Sequence, residues 1–135
     1  MHKRYFTLEE AHSTIPQVKR QVKQLQKIKR ALDLLSSIEV EYTEPWREDL
    51  PEVNIVKMNM EFHRLSYEFY ASLSVLHDLG CLLKDIDQGI IDFLSVHEGR
   101  DIFLCWQMGE NGISFWHEFD TGFENRKSIE LLKQG

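Results

Sequence analysis

The chain has 135 residues, of which 42% are hydrophobic and 11% aromatic, and its formal net charge is −6. This composition supports one modest core and excludes wholesale disorder, so residues 1–135 are expected to form a single domain. No apolar run approaches the ~20 residues that span a bilayer, and no apolar stretch follows Met1, so we expect a cytoplasmic protein with no membrane segment. Cys81 and Cys105 form no Cys-x-x-Cys pair and are expected to be reduced.

The charge is unevenly distributed along the chain. Residues 1–30 contain eight Lys and Arg against two Glu, a net charge of +6, whereas the remainder carries −12. Five of the basic residues form a stripe that could touch phosphates: Lys19, Arg20, Lys23, Lys27 and Arg30. The alternative is a solvated face partly balanced by Glu52, Glu61 and Glu68 of the second helix. Because the chain is acidic overall and no aromatic residues interleave with these cations, we do not expect a nucleic-acid partner.

A long first helix is predicted over roughly residues 8–38. Thr7 and Glu10 have capping-box spacing, and apolar residues recur every three or four positions from Leu8 to Leu35. Pro16 predicts a kink or a separate first segment.

A second helix is predicted after an irregular stretch, residues 39–49, that contains Trp46 as a possible exposed contact. Residues 49–52 resemble an N-cap with Pro51 in the first turn, a second apolar stripe runs from Ile55 to Leu79, and Gly80 fits a C-terminal stop. Two long stripes joined by a short loop indicate an antiparallel helical hairpin over residues 8–79.

Residues 81–119 change to short apolar runs separated by turns. Runs at 81–84 and 90–93 predict one β-hairpin, and runs at 102–108 and 113–119 predict a second around Asn111-Gly112, a strong hairpin signal. Residues 120–135 lose periodicity and are expected to be a C-terminal loop or tail. The predicted fold class is therefore α+β, a long antiparallel helical hairpin followed by a small antiparallel β-sheet of about four strands.

The turn of the second hairpin determines which side chains share a face of the sheet. A two-residue turn places Cys105 opposite Glu118 and Trp106 opposite His117, and a four-residue turn keeps the same parity. His117 then joins Trp106 on a face that packs on the helices, and Cys105 lies on the other face. A Cys105–His117 nucleophile is accordingly not favoured, because the two side chains should point apart.

Several motifs between residues 89 and 126, with two near the start of the chain, resemble those of one prokaryotic family. They are Tyr5-Phe6-Thr7-Leu8-Glu9-Glu10-Ala11, Ile15-Pro16, Gly89-Ile90-Ile91-Asp92-Phe93, Gly99-Arg100, Leu104-Cys105-Trp106, Gly109-Glu110, Trp116-His117-Glu118, Gly122-Phe123 and Arg126. The family is domain of unknown function 2203. The resemblance spans nearly the whole chain, and it implies no activity, cofactor or partner.

Polar residues at the predicted turns and strand ends form the candidate functional cluster: Asp92, Arg100, Glu110, His117 and Arg126. The two Arg could hold a small anionic ligand, but we favour ion pairs that fix the turns. Neutral imidazole with carboxylates could bind zinc or iron, so a metal site, if present, would include His117, although no spacing enforces one. The secondary candidates are Cys105, Trp106, Trp116 and Glu118, with core packing the favoured role of both Trp. No catalytic residue or cofactor is assigned.

Two hypotheses for function follow. The first is a non-enzymatic interaction or regulatory module that self-associates as a dimer through its helical hairpin, because the two apolar stripes are longer than a small sheet can cover. The second is a site at the sheet turns, with or without catalysis, for a small anionic ligand or a metal.

Overall fold

The computed structural model describes residues 4–42 and 52–133. The elements in chain order are α1 (Leu8–Tyr42), α2 (Glu52–Leu79), β1 (Leu82–Asp85), β2 (Ile90–His97), β3 (Arg100–Gln107), β4 (Phe115–Glu118), a 3-10 turn (Phe123–Asn125), β5 (Lys127–Ser128) and α3 (Glu130–Lys133). The predicted α+β class, with two long helices forming a hairpin before an antiparallel sheet, is confirmed. Most of the predicted interhelical segment, with Trp46 and Pro51, lies outside the described residues.

The start of α1 is the predicted capping box. The Thr7 backbone N–H donates to Glu10 Oε1 at 3.0 Å, and the Glu10 N–H donates to Thr7 Oγ1 at 3.1 Å. The helix then runs through Pro16 as one element and ends four residues beyond the predicted end, so the alternative of a separate first segment is wrong. Ala11 and Val18, on either side of Pro16, are fully buried, and this packing holds the segment in the helix.

The end of α2 is the predicted glycine stop. Gly80 follows Leu79 with φ of 91°, a left-handed conformation in which a Cβ atom would stand 2.7 Å from Arg4 Cδ. Arg4 Nη1 donates to the Leu79 carbonyl at 2.6 Å. The N-terminal segment therefore closes the C-terminal end of α2.

The sheet has five antiparallel strands in the order β1-β2-β3-β4-β5. The fifth strand lies in the region predicted as a loop or tail. One side, the helix face, packs on α1 and α2, and its buried core includes Ile91, Phe93, Ile102, Leu104, Trp106 and Trp116 against Val18, Val22, Leu25 and Leu76. The opposite side, the outer face, carries Asp92, Leu94, Phe103, Cys105 and His117, which are also buried.

The predicted register of the β3–β4 hairpin is wrong. Cys105 pairs with Phe115 and Phe103 with His117, instead of Cys105 with Glu118 and Trp106 with His117. This three-residue shift reverses the parity of β4. His117 therefore lies on the outer face, and Trp116 and Glu118 share the side of Trp106.

Contacts of the connecting loop explain the shift. A two-residue type I′ turn needs positive φ at both positions, and Asn111 does not have it, although Gly112 does. The Ile113 N–H donates to His12 Nε2 of α1 at 3.0 Å, and the Ile113 side chain enters the core. This anchoring on α1 keeps residues 113–114 out of the ladder with β3, so β4 begins only at Phe115.

Candidate functional site

The centre of the outer face brings together Asp92, Cys105 and His117. The β2–β3 register pairs Asp92 directly with Cys105, and the β3–β4 register places His117 on the same side, beside Phe103. Their relative exposures are 2%, 0% and 1%, and one ligand atom from each lies within 4.8 Å of the others. The prediction that Cys105 and His117 point apart is thus wrong, and the two residues form one cluster with Asp92.

His117 has both ring nitrogens engaged. Nδ1 lies 2.9 Å from the Glu118 carbonyl oxygen, and because a carbonyl only accepts, Nδ1 carries the proton. Nε2 lies 3.0 Å from Asp92 Oδ2. Burial alone lowers the pKa of His117, but the hydrogen bonds to Asp92 and Glu118 and the charge of Asp92 outweigh it, so the pKa is raised. The raised pKa favours the protonated form of His117 beside Asp92.

The Cys105 thiol lies in surroundings that suppress its ionisation. Burial, followed by the neighbouring Asp92 carboxylate, raises the pKa of Cys105 to about 12, and the Arg126 guanidinium offsets this only in part. Both ring nitrogens of His117 already contact a hydrogen-bond partner, the Glu118 carbonyl or the Asp92 carboxyl group, so neither is free to accept the thiol proton. The geometry does not provide the activated thiolate of a nucleophilic cysteine.

A thiol-modification experiment checks this conclusion. At pH 8 in the folded protein, Cys81 and Cys105 should react with an aromatic disulfide reagent about 100-fold or more slowly than in denaturant, since burial raises their pKa values to about 11 and about 12. Denaturation should then release two equivalents of reactive thiol. Rapid native reaction at Cys105 would restore the nucleophile hypothesis.

One oxygen of the cluster has no partner. Asp92 Oδ2 contacts His117, but Asp92 Oδ1 is fully buried and accepts no hydrogen bond from any residue that the structure describes. A buried acceptor left without a partner costs ~1–3 kcal/mol. The cluster is therefore not a fully satisfied core ion pair.

Arg126 and Glu110 form a second pair on the same side of the sheet. Arg126 Nη1 donates to both carboxylate oxygens of Glu110 at 3.0 and 3.1 Å, and the guanidinium lies over the rings of Phe115 and Phe123 at 4.2 and 4.0 Å. Glu110 Oε1 also accepts the Gln107 N–H at 2.6 Å. This pair ties the segment after β4 to the β3–β4 loop.

Arg100 belongs to a third, more exposed pair. Its Nε and Nη2 donate to the two oxygens of Glu118 at 3.1 and 3.0 Å, and Glu98 and Lys127 extend the network at 3.4 and 3.5 Å. The five predicted residues therefore lie in three separate pairs, His117–Asp92, Arg126–Glu110 and Arg100–Glu118, the last completed by the secondary candidate Glu118. A cavity of about 410 Å³ lies elsewhere, among the N-terminal segment, α3 and the ends of β2 and β3, and none of the five lines it.

The two tryptophans have the predicted packing role. Trp106 and Trp116 are buried in the helix-face core. Their indole N–H groups donate to the backbone oxygens of Glu110 and Ser128 at 3.2 and 3.1 Å. The Trp106 indole thus supports the β3–β4 loop, and the Trp116 indole supports β5.

A candidate surface that the sequence analysis missed lies on α2. Six exposed positions at intervals of 4, 3, 4, 3 and 4 form a stripe on the side of α2 away from its buried residues, and we call it the outer α2 stripe: Val56, Met60, His63, Tyr67, Tyr70 and Ser74. Val56, Met60, Tyr67 and Tyr70 are 51%, 67%, 76% and 68% exposed. The spacing was visible in the sequence, but the stronger stripe that faces α1 obscured it.

The basic stripe of α1 is exposed as expected of a solvated face. Its suggested balance by Glu61 and Glu68 is wrong, because both carboxylates are paired with Arg64 of their own helix. Arg64 lies about one turn from each of them, so these contacts within one helix form more readily than contacts between helices.

These features define a small α+β protein whose outer sheet face holds a buried Asp–Cys–His cluster. Residues 4–129 match the model of a family described as uncharacterised conserved proteins, DUF2203, so the chain belongs to this family, and the resemblance is confirmed. No curated protein and no solved structure matches the chain significantly. In the part of the chain that the structure describes, neither long helix is apolar enough to cross a membrane.

Proposed function

We propose that this chain is a non-enzymatic interaction module whose copies pair as a homodimer through the outer α2 stripe. The observation that carries the proposal is a row of large apolar side chains left exposed along one helix. The two apolar stripes that first suggested self-association face inward, with Val22 and Leu25 on α1 and Leu76 on α2 buried. The support therefore comes from the opposite side of α2.

The spacing of the stripe favours a second copy as its partner. Intervals of 4, 3, 4, 3 and 4 are those of a coiled-coil seam, and they read the same in both directions. An antiparallel two-fold arrangement would set Met60 against the partner's Tyr70 and His63 against the partner's Tyr67. Such a contact is self-complementary, as a closed dimer requires.

The length and apolar area of the outer α2 stripe, and the charges beside it, are compatible with an antiparallel dimer. The stripe spans 18 residue steps, or ~27 Å of helix. Two tyrosines with Met60 and Val56 supply roughly half of the ~800 Å² per partner of a standard interface. Arg64, beside the stripe, is paired with Glu61 and Glu68, so its charge is balanced within its own helix.

Sedimentation equilibrium of Tyr67→Glu tests the proposal. The wild type should form a dimer in the micromolar range, and a carboxylate in the seam should raise the dissociation constant by about 30-fold or more, the ~2 kcal/mol of an interface hot spot. Leu34→Glu is the matched control, since Leu34 is an exposed apolar residue of α1, 64% exposed, and this variant should remain dimeric.

Cross-linking tests the orientation. The double variant Met60→Cys/Tyr70→Cys should form an intermolecular disulfide in an antiparallel dimer, whereas Met60→Cys alone should not. A wild type that stays monomeric at high micromolar concentration contradicts self-association. A dimer that is insensitive to Tyr67→Glu but lost in Leu34→Glu contradicts this interface.

The alternative function at the sheet is only partly supported. Both predicted Arg residues already bind carboxylates, Arg126 to Glu110 and Arg100 to Glu118, so the geometry does not favour a small anionic ligand. A cytoplasmic location stays part of the proposal and is supported by the two unpaired cysteines. A prokaryotic source is proposed from the family resemblance alone.

A further inference from the structure

We propose that Asp92, Cys105 and His117 bind a divalent transition-metal ion of the zinc class. They offer a carboxylate oxygen, a thiolate sulfur and an imidazole nitrogen, a donor set that suits Zn²⁺ or Co²⁺. The three donor atoms lie within 4.8 Å of one another. Tetrahedral zinc with bonds of ~2.0–2.3 Å needs donor separations of ~3.3–3.6 Å, so side-chain adjustments of about 1 Å suffice.

The unpartnered oxygen of Asp92 is a second, independent observation in favour of an ion at this cluster. Asp92 is 2% exposed, and its Oδ1 accepts no hydrogen bond from any described residue. A buried carboxylate with an open lone pair next to a thiol and an imidazole nitrogen is a ready site for a cation. The contact with His117 engages only Asp92 Oδ2, and a bound ion would give Oδ1 a partner as well.

The orientation of His117 is that of a metal-binding histidine. Nδ1–H donates to the Glu118 carbonyl at 2.9 Å, which leaves Nε2 as the atom directed at Asp92. Histidines that bind metals usually donate their second N–H to a carbonyl or carboxylate in this way, and the bond fixes the tautomer and the ring.

The strands make the site rigid. Asp92 and Cys105 face each other as a cross-strand pair of β2 and β3, and His117 comes from β4, next to β3. All three are central positions of adjacent strands, so the donors are held before an ion arrives. Three protein donors leave one position of a tetrahedral ion for water or another ligand, and the Arg126 side chain lies beside Cys105.

Cobalt binding tests the site directly. Protein unfolded in urea with a chelator is freed of metal and refolded with Co²⁺, so access to the buried site is not limiting. We expect one Co²⁺ per chain, near-ultraviolet absorption from a thiolate–cobalt bond, and a Tm about 5 °C higher than that of the metal-free protein. Zn²⁺ should displace the cobalt and abolish the absorption.

The two buried cysteines provide the matched pair of variants. Cys105→Ser should lose the thiolate–cobalt absorption and most of the Tm rise, and Cys81→Ser should keep both. His117→Gln should weaken binding at least ~10-fold, and circular dichroism identifies any variant that does not fold. Stoichiometric binding lost only with Cys105 supports the site. Failure of the wild type to bind Co²⁺, or an unchanged spectrum in Cys105→Ser, overturns it.

Discussion

Asp92→Ala is expected to lower the free energy of unfolding of the metal-free protein by about 3–5 kcal/mol, the cost of removing one partner of a buried ion pair. His117 would keep a ring that is 1% exposed, with no acceptor for its Nε2 proton. Such a loss is a large part of the 5–15 kcal/mol that stabilises an ordinary domain. Urea unfolding followed by circular dichroism, in the presence of a chelator, measures it.

Two further variants distinguish the effect of breaking the Asp92–His117 ion pair from the effect of removing any carboxylate side chain. Asp120→Ala removes an exposed carboxylate just after β4 and should change stability by no more than about 0.5 kcal/mol. The double variant Asp92→Ala/His117→Ala should be less destabilised than the sum of the two single variants, because the second change removes the group that the first left unpaired. A loss below about 1 kcal/mol in Asp92→Ala would contradict the buried pair.

The pH dependence identifies the protonated partner. Because the pKa of His117 is raised in the folded state, the folded chain holds this proton to higher pH than the unfolded chain. The stabilisation is complete below the ordinary histidine value of about 6.5 and is lost as pH rises through the raised folded value. The wild type should therefore lose stability above pH 6.5, and Asp92→Ala should show a flatter profile.

The helices were predictable because their signals are local. The capping box lies within four residues, and Gly80 ends α2 through its own backbone conformation. Amphipathic periodicity then determined which sides of the two helices meet. None of these features depends on a contact between distant parts of the sequence.

The composition of the site was predictable, but its assembly was not. Asp92, Cys105 and His117 were all candidates, yet an error in strand parity separated Cys105 from His117, and Asp92 was assigned to neither face. The β3–β4 register depends on the hydrogen bond from Ile113 to His12, 101 residues away, which no local pattern reports.

A hairpin signal between the two predicted hairpins was missed, and it would have predicted which residue of β3 pairs with Asp92. Glu98 and Gly99 have φ of 52° and 76° and form a two-residue turn, which pairs His97 with Arg100. Counting back from this turn puts Asp92 opposite Cys105. Asn111-Gly112 is the stronger turn signal in the sequence, but a tertiary contact determines the geometry there. The weaker signal, Glu98-Gly99, forms the two-residue turn.

Arg126→Ala is expected to lower the free energy of unfolding by ~2–3 kcal/mol, less than for a fully buried pair because Arg126 and Glu110 are 14% and 20% exposed. The variant loses both hydrogen bonds to Glu110 and the contacts of the guanidinium with Phe115 and Phe123. Urea unfolding measures the loss. Arg126→Lys keeps the charge but not the planar fork, so it should fall between the wild type and Arg126→Ala.

Arg100→Ala is the matched control for burial. Arg100 also makes two hydrogen bonds to one glutamate, but its side chain is 47% exposed, so its removal should cost much less than that of Arg126. Arg126 also lies beside Cys105, so Arg126→Ala should speed modification of the Cys105 thiol in the folded protein but leave Cys81 slow. Equal losses of stability in the two Arg variants, with Cys105 still protected, would show that Arg126 neither adds stability through its burial nor shields the Cys105 thiol. Selective exposure of Cys105 would show that this one side chain controls access to the outer face.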